Sequence, residues 1–376
     1  MKAIINGRII LKDRLLHGQT IVFNEKITDF CKSAPAGAEV IDAKGACISP
    51  GLIDLHIHGS VGEEVTDGNK DGIRKIAREL VKYGVTGWLP TTMTVSREKI
   101  IAAFEAIRSL MREPVDGAGA TILGANMEGP FVSAKKKGAQ DERYIIPPEF
   151  KMIKEYADVI KIFTIAPEMD TDFSVIKAAR EIGITVAMGH SNADYETAIG
   201  AVIAGAQHIT HLFNGMSALG HREPGLVGAA FTSDVTAELI ADTIHVHKCL
   251  FELIYQIKKD KLVLITDCVM AGGLPDGVYK LGGQKITVKN KECRLDDGGL
   301  AGSVLTLNKA VKNMVDNTSA SLYDIVACAS LTPANVIGLA SRKGSLEIGK
   351  DADIVIFDGD IEVKKTIIGG AVVYSA

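Results

Sequence analysis

A chain of 376 residues, 47% hydrophobic and 23% charged, with mean hydropathy +0.17, has the make-up of a globular protein. It is long enough for one large domain, or a large one with a small one. A net charge of −4 without any polybasic block excludes the broad basic field of a nucleic-acid binder.

The amino terminus, MKAIINGRIILKDRLLHG, carries charges every few residues and lacks the apolar stretch of a signal peptide. No run approaches the ~18 apolar residues of a membrane span. Six cysteines lie scattered without a C-x-x-C pair, so they read as incidental thiols of a reducing compartment. The expectation is a cytoplasmic protein that handles a small molecule, with neither nucleic acid nor membrane as partner.

Residues 1–50 read as short strands, KAIING, GRIIL, QTIVFN, EKITDF and AEVIDAKGACISP, parted by turn glycines and aspartates. Residues 341–376 read the same way. Neither end can bury a core alone. Both are therefore expected to meet in one small β domain, a sandwich built from the two chain ends.

Between them, in 51–340, strand-length apolar runs alternate with amphipathic helical stretches such as GIRKIARELVKYG and REKIIAAFEAIRSLM. The candidate strands are Leu52–His58, Thr86–Thr91, Thr121–Glu128, Ile160–Pro167, Thr185–His190, Gln207–His211, Thr236–Ala241 and Leu262–Asp267. Eight βα units over this length predict an α/β fold, a (β/α)8 TIM barrel. An open doubly wound sheet is the alternative, weakened by the absence of G-x-G-x-x-G after the first strand.

The first of these strands, LIDLHIHG, alternates strictly. Side chains of a strand point to opposite faces in turn. Ile53, Leu55 and Ile57 are thus expected to face the helices, and Asp54, His56 and His58 the barrel axis. Glu128, His190, His211 and Asp267 close four other candidate strands. A barrel gathers strand ends at one mouth, where such enzymes build their sites. Nitrogen and oxygen donors converging there read as a divalent transition-metal site, zinc or iron first, with manganese and cobalt also fitting. His211 is preferred to His208 because it lies nearer the loop. His245 and His247 follow the seventh strand, and either could reach the mouth. The Lys135–Lys137 run reads as a solvated loop or a substrate contact.

The segments GLIDLHIHG, MEGPF, MGHS, THLFNGM, HREPG, LITD and GSLEIGKDADIVIFD resemble the amidohydrolase superfamily, metal-dependent hydrolases. They resemble most the branch that deacetylates amino-sugar 6-phosphates. The resemblance covers nearly the whole chain. It implies hydrolysis of N-acetyl-D-glucosamine 6-phosphate to D-glucosamine 6-phosphate and acetate. It implies that Glu128, His190 and His211 hold one metal ion and that His56 and His58 hold a second where one is kept, with Glu128 between them. Asp267 takes the part of catalytic acid and base. Substrate contacts fall on Ala139, Asn214, Gly215, Arg222, His245 and the segment Leu300, Ala301, Gly302. Gln140 stands where some members carry histidine; it can hydrogen-bond the substrate but carries no charge. The resemblance also implies a homodimer in which Arg222 reaches the partner's site.

Three rival readings follow from the same residues. One is the same reaction on N-acetylgalactosamine 6-phosphate. Another is an amidohydrolase acting on a cyclic amide or an N-acyl amino acid, which would have no use for Arg222. The third is a catalytically silent barrel used for assembly.

Overall fold

Eight parallel strands form the centre of the computed structural model, which describes residues 1–113 and 118–376. They are β1 (Leu52–Ile57), β2 (Val85–Thr92), β3 (Ala125–Glu128), β4 (Ile160–Ile165), β5 (Thr185–Met188), β6 (His208–Ile209), β7 (Thr236–Ile240) and β8 (Leu262–Ile265). Each pairs with the next in parallel. Helices fill the crossovers, from α1 (Lys70–Leu80) and α2 (Arg97–Arg112) to the helix Phe251–Lys258 before β8. Their local logic is plain in α1. Asn69 caps it by accepting the Asp71 N–H, and Ile73, Ile76, Ala77 and Leu80 fall on one buried stripe. This is the predicted (β/α)8 barrel and not an open sheet.

Two further sheets pack face to face beside the barrel. One is four-stranded, in the order Ile27–Cys31, Thr20–Phe23, Lys2–Ile5, Glu39–Asp42. The other runs Ala371–Ser375, Val363–Ile368, Ile354–Phe357, Cys47–Pro50, Arg8–Ile10, Leu15–Leu16, so both chain ends contribute to it. Ile4, Ile21, Phe23 and Ile41 of the first sheet share a core with Ile9, Ile48, Ile354 and Ile367 of the second. That is the expected sandwich.

The expectation of strict alternation in β1 fails. Ile53 and Leu55 do not face the helices; they pack inside the barrel with Leu89, Ile162, Ala187, Ile240, Val263 and Ile265, contributed by five other strands. The cause is a loss of register against β2. Asp54 lies opposite Trp88 and Ile57 opposite Pro90, so β1 holds one more residue than its partner over that interval. Such a bulge re-aims the side chains that follow it. It lets His56 and His58 face inward above two apolar residues that also face inward, and it leaves Asp54 at the seam.

That seam joins β8 to β1. The ladder there is reduced to a bridge between Ile57 and Cys268, with Asp267 N–H donating to His56 O at 2.9 Å and His58 N–H to Cys268 O at 2.8 Å. Asp54, fully buried, accepts the Thr266 hydroxyl at 2.6 Å. Burial pushes its carboxyl up to about 7, against the hydrogen bonds from Thr266 and from the backbone of His56. The pair therefore fixes the two strands that carry His56, His58 and Asp267.

Two other differences from the sequence reading concern chain segments. The candidate strand Thr121–Glu128 is split into Thr121–Ile122 and Ala125–Glu128 at Gly124, where φ is +143°. Beyond β8, an antiparallel meander of Gly277–Leu281, Gln284–Lys289 and Glu292–Leu295 stands in a stretch for which no strands were expected. Its signal was present: Gly282–Gly283 is a two-residue hairpin turn between alternating runs.

Thr266→Val should leave the buried Asp54 carboxyl without its hydroxyl donor. The expected loss is about 1–3 kcal/mol of unfolding free energy, measured by urea titration. An unchanged midpoint would show that the seam does not depend on this bond.

Candidate metal centre and active site

Four imidazoles at the strand ends share one design. His58 turns its Nδ1 to the Thr91 carbonyl at 3.3 Å, His190 to the Lys136 carbonyl at 3.0 Å, and His211 to the Asn214 carbonyl at 3.1 Å. His56 turns its Nδ1 to the Glu238 carboxylate at 3.0 Å. An acceptor at Nδ1 keeps the proton there and frees the Nε2 lone pair. All four Nε2 atoms then point at one place.

At that place stand the Glu128 and Asp267 carboxylates. Glu128 Oε1 lies 2.9 Å from His211 Nε2, 3.1 Å from His190 Nε2 and 3.4 Å from His56 Nε2. Its other oxygen lies 3.2 Å from His58 Nε2, and Asp267 Oδ1 lies 3.2 Å from the same nitrogen. The donors form two groups, His56 with His58 and Asp267, and Glu128 with His190 and His211. All six residues are buried. Facing nitrogen atoms sit only 3.1 Å apart in His190–His211 and 3.3 Å apart in His56–His58. Lone pairs and carboxylate oxygens crowded this closely repel unless protons or a metal cation lie among them. The spacing also suits ligands about 2.0–2.2 Å from a shared ion. The donor set therefore fits a divalent metal.

Where no ion is held, protons on the inner nitrogens supply the positive charge. Burial would raise Glu128, yet the charges of His56 and His190 and the hydrogen bonds from His190 and His211 hold it well below the usual carboxylate range. Burial would lower His58, yet its bonds to Asp267 and Glu128 push it up to about 9. Protons and a divalent ion compete for the same lone pairs, so metal uptake near neutral pH is accompanied by proton release.

Three of the strand-end residues leave the extended conformation. His190, His211 and Asp267 have φ of +45°, +28° and +50°. This left-handed turn swings each side chain into the mouth as the chain departs. It also explains why the observed strands stop two residues short of these positions.

Above the cluster a cavity of about 280 Å³ opens, close to the roughly 300 Å³ lower bound of small-ligand pockets. Of the residues assigned to substrate by resemblance, Ala139, Gln140, Asn214, Gly215, His245, Leu300 and Gly302 line it. Ala301 is buried behind its wall, and Arg222 lies exposed, outside the lining. Gly215 is a glycine for a spatial reason: a Cβ there would stand 2.9 Å from His190 Nδ1, at a φ of +57°. The meander supplies Leu281, and its Gln284 donates to the Ala139 carbonyl at 2.6 Å.

The open choices resolve by position. His211 joins the cluster, and His208 bonds Glu238 and Thr236 instead. His245 reaches the cavity, with Asp242 Oδ2 at 2.7 Å from its Nδ1, and His247 is exposed at the start of a short helix. Lys135 is exposed, while Lys136 serves through its carbonyl. Glu238 was not found from the sequence, since it lies within β7 and not at its end. The anchoring carbonyls leave no mark in a sequence at all.

Gln140 is committed to the cluster. Its Nε2 donates to Glu128 Oε2 at 2.6 Å and its Oε1 accepts the Thr94 N–H at 2.7 Å. Gln140→Leu should strand both partners in a buried place. We expect a loss of about 1–3 kcal/mol in urea unfolding of the metal-free protein and weaker zinc retention in equilibrium dialysis. Unchanged retention would show that Glu128 needs no such support.

The amidohydrolase family profile matches residues 47–373. A relative from Bacillus subtilis (strain 168), an N-acetylglucosamine-6-phosphate deacetylase, is 40% identical over 347 residues, covering 90% of this chain and 88% of its own. An N-acetylgalactosamine-6-phosphate deacetylase of Escherichia coli O157:H7 is 35% identical, covering 89% and 90%. The crystal structure of N-acetylglucosamine-6-phosphate deacetylase from Pasteurella multocida superposes over the full length of both chains with a TM-score of 0.95 at 31% identity. By profile, sequence and fold, this chain belongs to the amidohydrolase family.

Proposed function

We propose that the protein is a metal-dependent deacetylase that hydrolyses N-acetyl-D-glucosamine 6-phosphate to D-glucosamine 6-phosphate and acetate. The observation that carries this is the convergence of four imidazole Nε2 atoms and two carboxylates beneath a small-ligand cavity. Deacetylase relatives cover nine-tenths of the chain. The free cysteines suit a reducing cytoplasm. Among the described residues no helix is long and apolar enough to cross a membrane.

Glu128, His190 and His211 would hold one divalent ion, and His56, His58 and Asp267 a second; zinc or iron suits this nitrogen and oxygen set. An ion held there supplies a water activated at neutral pH and polarises the acetyl carbonyl. Asp267, at the cavity floor, takes the proton of the attacking water and returns it to the departing sugar nitrogen. Burial would raise its carboxyl, but the His58 hydrogen bond keeps it below the usual range, so it begins as a base.

The cavity walls hold the substrate. His245 presents Nε2 while Asp242 holds Nδ1. Burial works against its charge, but the Asp242 bond outweighs burial and keeps the ring cationic above its ordinary pH. That suits a donor to a phosphate or a sugar hydroxyl. Asn214, Gly215 and Leu300–Gly302 complete the walls. No lysine or arginine lines the cavity among the described residues. Arg222 is exposed, and among the described residues no hydrogen bond or ion pair engages its guanidinium. We therefore assign Arg222 to the phosphate of a site on a partner subunit in a homodimer, where its planar fork suits the anion.

Acetate release from N-acetyl-D-glucosamine 6-phosphate tests the reaction. It should occur, vanish on chelation, return with zinc or ferrous iron, and fall about 10²–10⁴-fold in Asp267→Asn. Absence of release with every divalent ion would refute the reading. The E. coli relative gives a reason to run the galactosamine epimer in parallel, and faster turnover of that epimer would reassign the substrate.

Mixed dimers test the shared site. Arg222→Ala and Asp267→Asn subunits, each inactive alone, should recover activity when combined, because one site then regains both groups. No recovery would place Arg222 in its own subunit's site or outside catalysis.

A further inference from the structure

Of the four convergent imidazoles, three hand their Nδ1 proton to a neutral backbone carbonyl and one, His56, to a carboxylate. That carboxylate, Glu238, projects from β7 with no exposed surface. Oε2 also accepts the backbone N–H of His211 at 3.0 Å. Oε1 faces His208 Nε2 at 3.2 Å, and the far nitrogen of His208 meets the Thr236 hydroxyl at 2.6 Å. No lysine or arginine pairs with Glu238 among the described residues. Its charge is compensated by imidazoles and one amide alone.

We propose that Glu238 is a positioning residue that sets the metal affinity of the His56, His58 and Asp267 group. The inference rests on the reading of that group as a metal site. A carboxylate on Nδ1 locks the tautomer and ring plane of a ligating histidine and raises the basicity of its other nitrogen. A charge-assisted bond does so more strongly than a bond to a carbonyl. The group that contains His56 is the only one of the two with this support on a ligand side chain. The Glu128, His190 and His211 group receives from Glu238 only a backbone contact at His211. Glu238 thus acts unequally, chiefly on the first group.

A purely structural role makes a different prediction. A buried carboxylate that only ties β6 to β7 would, when altered, lower the stability of the metal-free fold and weaken both groups alike. The network through His208 and Thr236 belongs to that structural half, because neither residue reaches the cluster.

The test uses the full-length parent and Glu238→Gln, which keeps shape and loses charge. Both are stripped with chelator and titrated with zinc by equilibrium dialysis, and the visible spectra of the cobalt-loaded proteins are recorded. The parent should bind two ions. Glu238→Gln should bind one with the parent's affinity and the other about 10–100-fold more weakly, with a cobalt spectrum altered for one ion only. His208→Gln, which leaves the His56 contact in place, should keep both affinities. A parent that binds a single ion overturns the two-group reading and the proposal with it. A parent that binds two ions, with an unchanged variant or one weakened equally at both sites, overturns the proposal alone. If Glu238→Gln does not fold, 15N-histidine spectra of the zinc-loaded parent decide. The His56 Nδ1 proton should lie furthest downfield of the four, and any other order refutes the special bond.

Discussion

The site depends on where four Nδ1 protons go. Imidazole has two nitrogens, and a neutral ring offers one lone pair. By fixing one proton on the outer nitrogen, the Thr91, Lys136 and Asn214 carbonyls and the Glu238 carboxylate leave every inner nitrogen to meet either a second proton or a metal ion. Without those anchors the rings could rotate or present N–H groups to one another, and the same six side chains would form an ordinary hydrogen-bonded core. With them, the centre of the mouth is a place only positive charge can fill.

The barrel delivers this arrangement through its irregularities. Regular strands would keep Asp54, His56 and His58 on one face. The extra residue in β1 instead spends Ile53 and Leu55 on the apolar floor, Asp54 on the seam, and both histidines on the mouth. A floor of Leu89, Ile162, Ala187, Ile240, Val263 and Ile265 excludes water from below. Charge–charge terms at the cluster are consequently felt in a medium of low polarisability, where they are larger than in solvent.

Much of this was legible in the sequence. The eight-fold alternation of strand and helix follows from hydrophobic periodicity, and the donors stood out because charged and imidazole side chains closed apolar runs. Loop proximity and the resemblance both favoured His211 over His208, and it is His211 that lies in the cluster. What the pattern could not carry was register. A bulge adds no special residue to LIDLHIHG, since it arises from how β1 lies against Val85–Thr92, a contact thirty residues away. Glu238 was hidden for a related reason. TAELIAD reads as a strand with one buried acid, and only the barrel places that acid behind His56. Gln140 was assigned to substrate from the resemblance; it lines the cavity, and no pattern in the sequence shows that both ends of its amide are held by Glu128 and Thr94. The meander at 277–295 carried its hairpin signal openly, but it interrupts a barrel rhythm that had already accounted for eight strands.

The strand ends show what the site costs the fold. His190, His211 and Asp267 each sit at positive φ, a conformation that disfavours any side chain by roughly 1 kcal/mol or more. Glycine would relieve all three positions, although Val61, Phe173 and Ile361 also keep positive φ elsewhere in the chain. Backbone preference alone does not call for bulky polar residues at these three places. Each turn aims its side chain at the same small volume, and the surrounding structure enforces it: Gly215 vacates the space against His190, Gly302 packs over the Asp267 carbonyl, and Glu238 holds the His211 amide. At this rim the three turns serve donors of one cluster, as a preorganised cation site requires, because ligands must already be in place, with their strain offset by the rest of the fold, before the ion arrives.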